Sequence, residues 1–198
     1  IVAYPSVEHM VDNRNNLSVL SKITGTDADP VRDDGDFDLI PYKLPQYTAL
    51  FMNMESKFLK DKKVRVGVFK AVKKETLSTV LKDIELVDTP LLELDTENWM
   101  YEPNFDQANG ALYDSGFRYK ESTDRYRKNS DGEVLELNLA VRQYDEGSRL
   151  YNDAHSLVAF LVKSWDEVGV KVNVSWFLLP AFSDAIQSRS YDLILAGQ

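Results

Sequence analysis

Cysteine is absent from the 198-residue chain, histidine occurs twice, and no apolar run approaches the ~20 residues that cross a bilayer. Without cysteine there is no disulfide, no thiolate metal site and no cysteine nucleophile. His9 and His155 have no partners at metal-ligand spacing, so no metal is expected. Positive charge is scarce as well: 23 Lys and Arg stand against 32 Asp and Glu, a formal net charge of -9. Phosphate backbones need clustered Lys and Arg, and the densest basic run is only residues 60–65, so nucleic acid is not an expected partner. Residues 1–10 lack the basic and apolar regions of a secretory signal, so an exported form is expected to carry its address upstream. Missing too are the glycine-rich phosphate loops and the Gly-x-Ser-x-Gly nucleophile elbow. No nucleophile is matched to a base, and neither a catalytic residue nor a cofactor is expected. His155, beside Tyr151 and Val158 on a predicted helix, reads as a boundary histidine in preference to a general base. Asp27, Asp29, Asp33, Asp34, Asp36 and Asp38 crowd one loop, but EF-hand spacing places Pro30 where the first ligand belongs. That loop reads as a solvated acidic segment.

What is present suffices for one sizeable core: 43% of the residues are hydrophobic and 28% charged. The final third alternates strand and helix. Residues 133–142 alternate apolar and polar, with Leu135, Leu137, Leu139 and Val141 on one face. Residues 148–168 carry a helical stripe of Leu150, Ala154, Leu157, Val158, Leu161, Trp165 and Val168, ending at Gly169. A strand over 170–176 with Val170, Val172, Val174 and Trp176 inward, a short helix over 180–189 and a strand over 191–197 follow. This is a pair of consecutive βαβ units, for which right-handed crossovers are expected. Upstream, 47–54 reads as a buried strand, 61–72 as a helix with Val64, Val68, Val72, Phe69 and Ala71 inward, and 75–82 as a second helix. A short helix is expected around 7–19, and 87–101 looks irregular. Residues 104–115 form a helix with Asn104 as N-cap, Gln107 at the capping-box position and Gly116 at the left-handed exit. Asn129-Ser-Asp-Gly132 predicts a hairpin joining 123–128 to 133–142. Trp165 reads as core and Trp176 as packing in preference to an exposed aromatic wall. Trp99 and Tyr101 sit where an exposed aromatic grips a ligand or anchors a loop.

The order of short motifs resembles the extracellular solute-binding proteins of family 5, the oligopeptide, dipeptide and nickel binding proteins of ABC importers. Tyr47-Thr-Ala-Leu-Phe-Met-Asn53 is similar to the family's Tyr-x-x-Leu-x-Phe-Asn strand, with the aromatic displaced. Phe58-Leu-Lys-Asp61-Lys-Lys-Val64-Arg65 is similar to its Phe-x-Asp-x-x-Val-Arg segment, although Lys73-Lys74-Glu75 replaces Ile-Asp-Arg. Thr89-Pro90, then Trp99 and Tyr101, resemble its Thr-Pro and Trp-x-Tyr region, and residues 102–117 its Asp-Pro-x-x-Ala helix. Gly169-Val-Lys-Val resembles Gly-Ile-x-Val, and Tyr191-Asp-Leu-Ile-Leu-Ala-Gly197 resembles Tyr-Asp-Leu-x-Leu-x-Gly-Trp, with Gln198 in place of the tryptophan.

The resemblance implies an α/β fold: a mixed sheet with βαβ crossovers and flanking helices, one lobe of a two-lobe periplasmic-binding-protein-like architecture. It implies a connecting segment with an acidic loop over 1–46 and a solute-binding lobe over 47–198, a fragment of a larger protein. The implied partners are an oligopeptide or other small solute, gripped between this lobe and a second one, and an ABC transporter permease. The implied location is extracytoplasmic, in the periplasm or on a cell-surface lipoprotein, with membrane association only through an anchor outside these residues. Met52, Asn53, Trp99, Tyr101 and Gly197 are the ligand-binding candidates, although Asn53 also suits a backbone-satisfying role. The rival readings are a ligand-sensing domain of a transcription regulator and a surface interaction domain whose cleft has degenerated.

Overall fold

A computed structural model describes residues 7–20, 23, 29–33, 35–40, 47–81, 84–87 and 102–197. The chain divides into two compact units. The smaller, residues 1–45 and 82–85, contains helix α1 (Val7–Asp12), a 3-10 turn at Arg14–Asn16 and helix α2 (Asp29–Arg32). The helix expected around 7–19 thus stops at Asp12. The Asn13 amide donates to the His9 carbonyl at 2.8 Å, the local competition that makes Asn a poor helix interior.

The larger unit is built on a four-stranded sheet in the order β1-β4-β2-β3, with β1 at Thr48–Met52, β2 at Glu136–Arg142, β3 at Lys171–Phe177 and β4 at Leu193–Gly197. β2, β3 and β4 are parallel and β1 runs antiparallel to β4. Helices α3 (Lys62–Lys70), α4 (Phe105–Asp114) and α5 (Arg149–Asp166) contribute to the main core, while α6 (Leu179–Ser188) covers the opposite face. The two βαβ units are therefore β2-α5-β3 and β3-α6-β4.

The main core joins Leu137, Leu139 and Val141 of β2 and Leu193 and Leu195 of β4 to Val64, Val68, Leu112, Val158, Leu161 and Trp165 of the helices. The Trp165 indole is fully buried and donates to the Val68 carbonyl at 2.9 Å, which ties α5 to α3. The smaller core on the other face is Ala140, Ile194 and Phe182. The Asn104 cap is as expected from the sequence, and two further helices are capped in the same way. Asp61 accepts from Lys63 N at 2.8 Å, Asn104 from Gln107 N at 2.9 Å and Ser148 from Tyr151 N at 3.1 Å.

Five expectations are corrected. β1 is a partly exposed edge strand, with Thr48 and Phe51 facing solvent. Phe69 is 51% exposed; Gly67 takes its place in the buried stripe of α3. The helix expected over 75–82 is a 3-10 turn, Lys74–Thr79, because Thr76, Ser78 and Thr79 each turn a hydroxyl onto the carbonyl three residues back, and Val80 is exposed. The hairpin keeps its turn but not its first strand: only single bridges, Arg118 to Lys128 and Lys128 to Val134, precede β2. There the Arg127 amide pairs with the Gly169 carbonyl at 2.8 Å. Finally, Leu150 is exposed in the first turn of α5, and Val172, Val174 and Trp176 are only partly buried because β3 ends the sheet order.

Candidate functional site

The three parallel strands finish along one edge of the sheet. β2 leads into α5 on one face, and its neighbour β3 leads into α6 on the other. Adjacent parallel strands whose connections leave to opposite faces open a crevice beyond their carboxyl ends, where open α/β sheets bind ligands. Here that crevice lies between Arg142-Gln143-Tyr144 and Trp176-Phe177. The Gln143 amide donates to the Phe177 carbonyl at 2.7 Å and fixes the two strand exits together.

Arg142 closes the central strand. Its guanidinium sits 4.8 Å from the centre of the Tyr144 ring, and its Nε is buried without a hydrogen-bond partner. Arg65, Arg125, Arg127, Arg149 and Arg189 each donate to a carbonyl or carboxylate; Arg142 donates to neither. A guanidinium held over a ring and short of acceptors offers its fork to a planar, two-oxygen anion such as a carboxylate.

On the α5 side of the same edge three aromatic rings stack. Tyr151 and His155 have centroids 4.1 Å apart at 37°, and His155 and Trp176 lie 3.9 Å apart at 10°. His155 Nε2 is buried and has no hydrogen-bond partner. His155 is thus a boundary residue in a stack. A groove of about 550 Å³ continues from it between α5 and β3, floored by Val158, Val162, Val172 and Val174.

The opposite, amino-terminal edge is chemically different. Asp192 accepts from Asn138 N at 2.7 Å and from Asn138 Nδ2 at 3.1 Å. The Glu136 carboxyl is held below its ordinary range by the Asn173 amide and then by Lys171, whose Nζ lies 3.0 Å away. Asp192 and Glu136 are thus engaged at the amino-terminal end, while Arg142 at the carboxyl end has an Nε without a hydrogen-bond partner.

Register separates the candidates read from the sequence. Gly197 pairs with Thr48 at the carboxyl edge, where an added Cβ would meet Thr48 Oγ1 and the Tyr47 carbonyl, both at 3.2 Å. Met52 pairs with Leu193 at the far end, ~13 Å along the strand from Gly197. Asn53 stands beyond Met52 with its polar atoms engaged. Its backbone amide donates to the Asp192 carbonyl at 2.8 Å, its side-chain amide donates to the Tyr191 carbonyl at 3.0 Å, and its Oδ1 accepts from Glu55 N at 3.1 Å. Trp99 and Tyr101 lie outside the described residues. Arg142, Tyr144 and the Tyr151–His155–Trp176 stack were not singled out as a site by sequence reasoning. The available signal was a charged residue directly after the apolar run Leu139-Ala-Val141 at the end of the central strand.

No protein-family model matches the chain, and no curated protein sequence does. Solved structures do match in fold. A lactococcal OppA complexed with an endogenous peptide in the closed conformation gives a TM-score of 0.71 at 15% identity, over 97% of this chain and 40% of that one. NikZ from Campylobacter jejuni in complex with Ni(L-His) gives 0.66 at 24% identity, over 84% and 32%. The oligopeptide-binding protein AppA from Bacillus subtilis in complex with a nonapeptide gives 0.64 at 19% identity, over 77% and 31%. The chain spans 31–40% of the length of these proteins. It therefore has the mixed α/β fold of one part of these structures.

Proposed function

We propose that the chain is the solute-binding lobe of an ABC-importer binding protein, and that it holds a peptide or similar carboxylate-bearing solute at the carboxyl edge of its sheet. In this reading residues 47–198 form the lobe and 1–46 a connecting segment, the protein works outside the cytoplasm, in the periplasm or as a cell-surface lipoprotein, and a permease receives its cargo. It captures and delivers without catalysis. The observation that carries the reading is Arg142, stacked on Tyr144 with a buried Nε that has no hydrogen-bond partner, at the switch point between β2 and β3. The fold shared with peptide- and nickel-complex-bound structures supports the class. No helix among the described residues is long and apolar enough to cross a membrane.

One lobe contributes half of a hinged cleft, so its affinity is expected to be weak, about millimolar. The test is a titration of the chain with Ala-Ala-Ala and with its C-terminal amide, followed by tryptophan fluorescence. Binding of the free acid about tenfold tighter than the amide is expected. Equal affinity removes Arg142 from the site, and no binding of either form at about 10 mM, about ten times the expected constant, removes the solute-binding reading.

A further inference from the structure

We propose that the loop before α3 and the first turn of that helix form a docking surface for an anionic lipid bilayer. In a chain of net charge -9, Lys57, Lys60, Lys62, Lys63 and Arg65 fall within nine residues against one carboxylate, Asp61. That carboxylate is already occupied as the N-cap of α3, accepting from Lys63 N. All four lysines are exposed. Lys57 meets Glu133 at 2.6 Å, and Lys63 donates only to the Asp114 carbonyl at 3.2 Å.

Stability does not explain the placement. Lys62 and Lys63 occupy the first turn of α3, whose dipole disfavours cations there, and no acidic residue stands in that turn. Charge complementarity favours a bilayer. Five basic residues against one carboxylate in this segment complement the negative surface of an anionic bilayer. Lysine, a hydrated point charge on a flexible stem, suits the diffuse field of headgroups better than the bidentate capture of one carboxylate. Arg65, the residue with that fork, spends it on the Leu59 and Lys60 carbonyls.

The test is co-sedimentation of the full chain with vesicles of 30% phosphatidylglycerol in phosphatidylcholine, and of phosphatidylcholine alone, at 50 mM and 500 mM NaCl. Partitioning onto the anionic vesicles roughly 100-fold above the neutral ones at low salt, and its loss at high salt, is expected. The double variant Lys60→Glu with Lys62→Glu should lose that partitioning. Lys120→Glu with Lys163→Glu, two exposed lysines elsewhere with the same change in net charge, should keep it within about twofold. Equal loss in both variants assigns the effect to overall charge and overturns the proposal. So does absence of vesicle binding, and if the chain is then retained on polyglutamate beads the patch belongs to an acidic protein partner instead.

Discussion

Arg127 and Arg142 show how differently two arginines of one chain are used. Arg127 is 6% exposed and has no carboxylate. Its Nε donates to the Val168 carbonyl at 2.7 Å, its Nη1 to the Phe117 carbonyl at 3.2 Å and its Nη2 to Asn109 Oδ1 at 2.7 Å. It satisfies carbonyls at the exits of α4 and α5 that would otherwise be buried unpaired. Arg127→Met is expected to cost about 3 kcal/mol in urea unfolding, since three hydrogen bonds go and their acceptors stay buried. Arg142→Gln removes no donated side-chain bond and is expected to change stability by less than about 0.5 kcal/mol, while abolishing the preference for a free carboxylate over an amide. Asn53→Ala should do the reverse. It is expected to lower stability by about 1–2 kcal/mol through the lost bonds to Tyr191 and Glu55 and to leave solute affinity unchanged. A loss of affinity in Asn53→Ala without a loss of stability would restore it to the ligand site.

Elements follow the sequence where local chemistry sets them and depart from it where packing does. The cap at Asn104, the left-handed Gly116 and the alternating core face of β2 were all legible, because each is decided within a few residues. The exposure of Phe69 was not, because it depends on Gly67. A Cβ on Gly67 would lie 2.5 Å from Leu112 Cγ, so the bare glycine is what lets α4 seat against α3 along that line. Gly67→Ala is expected to cost about 1–3 kcal/mol, with Leu112→Ala in the Gly67→Ala background recovering part of it. Independent, additive losses in that cycle would show that the two residues do not meet. The crevice was likewise invisible to periodicity. Alternation identifies β2 and β3 but not that α5 and α6 leave to opposite faces, and the role proposed for the end of β2 rests on that topology. The same limit explains why Met52 and Gly197, both on strands that the motifs identify, turn out to stand at opposite ends of one pair.

Across the molecule as a whole, three carboxyls with ion-pair partners are held low: Glu133 by Lys57 and Asn129, Glu136 by Asn173 and Lys171, and Asp166 by Arg125. A carboxyl whose folded pKa lies below its unfolded value stabilises fully above that unfolded value, 4.5 for Glu and 3.8 for Asp, and loses the contribution as pH falls through the lower folded one. Thermal stability is therefore expected to be level from pH 7 to about 5 and to drop below about 4; melts monitored by circular dichroism that stay level at pH 3.5 would contradict those pairings. The solute-binding reading makes a sharper demand, that the two ends of one sheet behave differently. Backbone and arginine side-chain amide resonances of the labelled chain, followed by NMR during titration with Ala-Ala-Ala, separate the ends directly. Shifts confined to Arg142–Tyr144, Trp176, Phe177 and Gly197, with the Arg142 Nε–H moving most, are the expected result. Shifts centred on Met52, Asn53 and Asp192, or none at all, would contradict it.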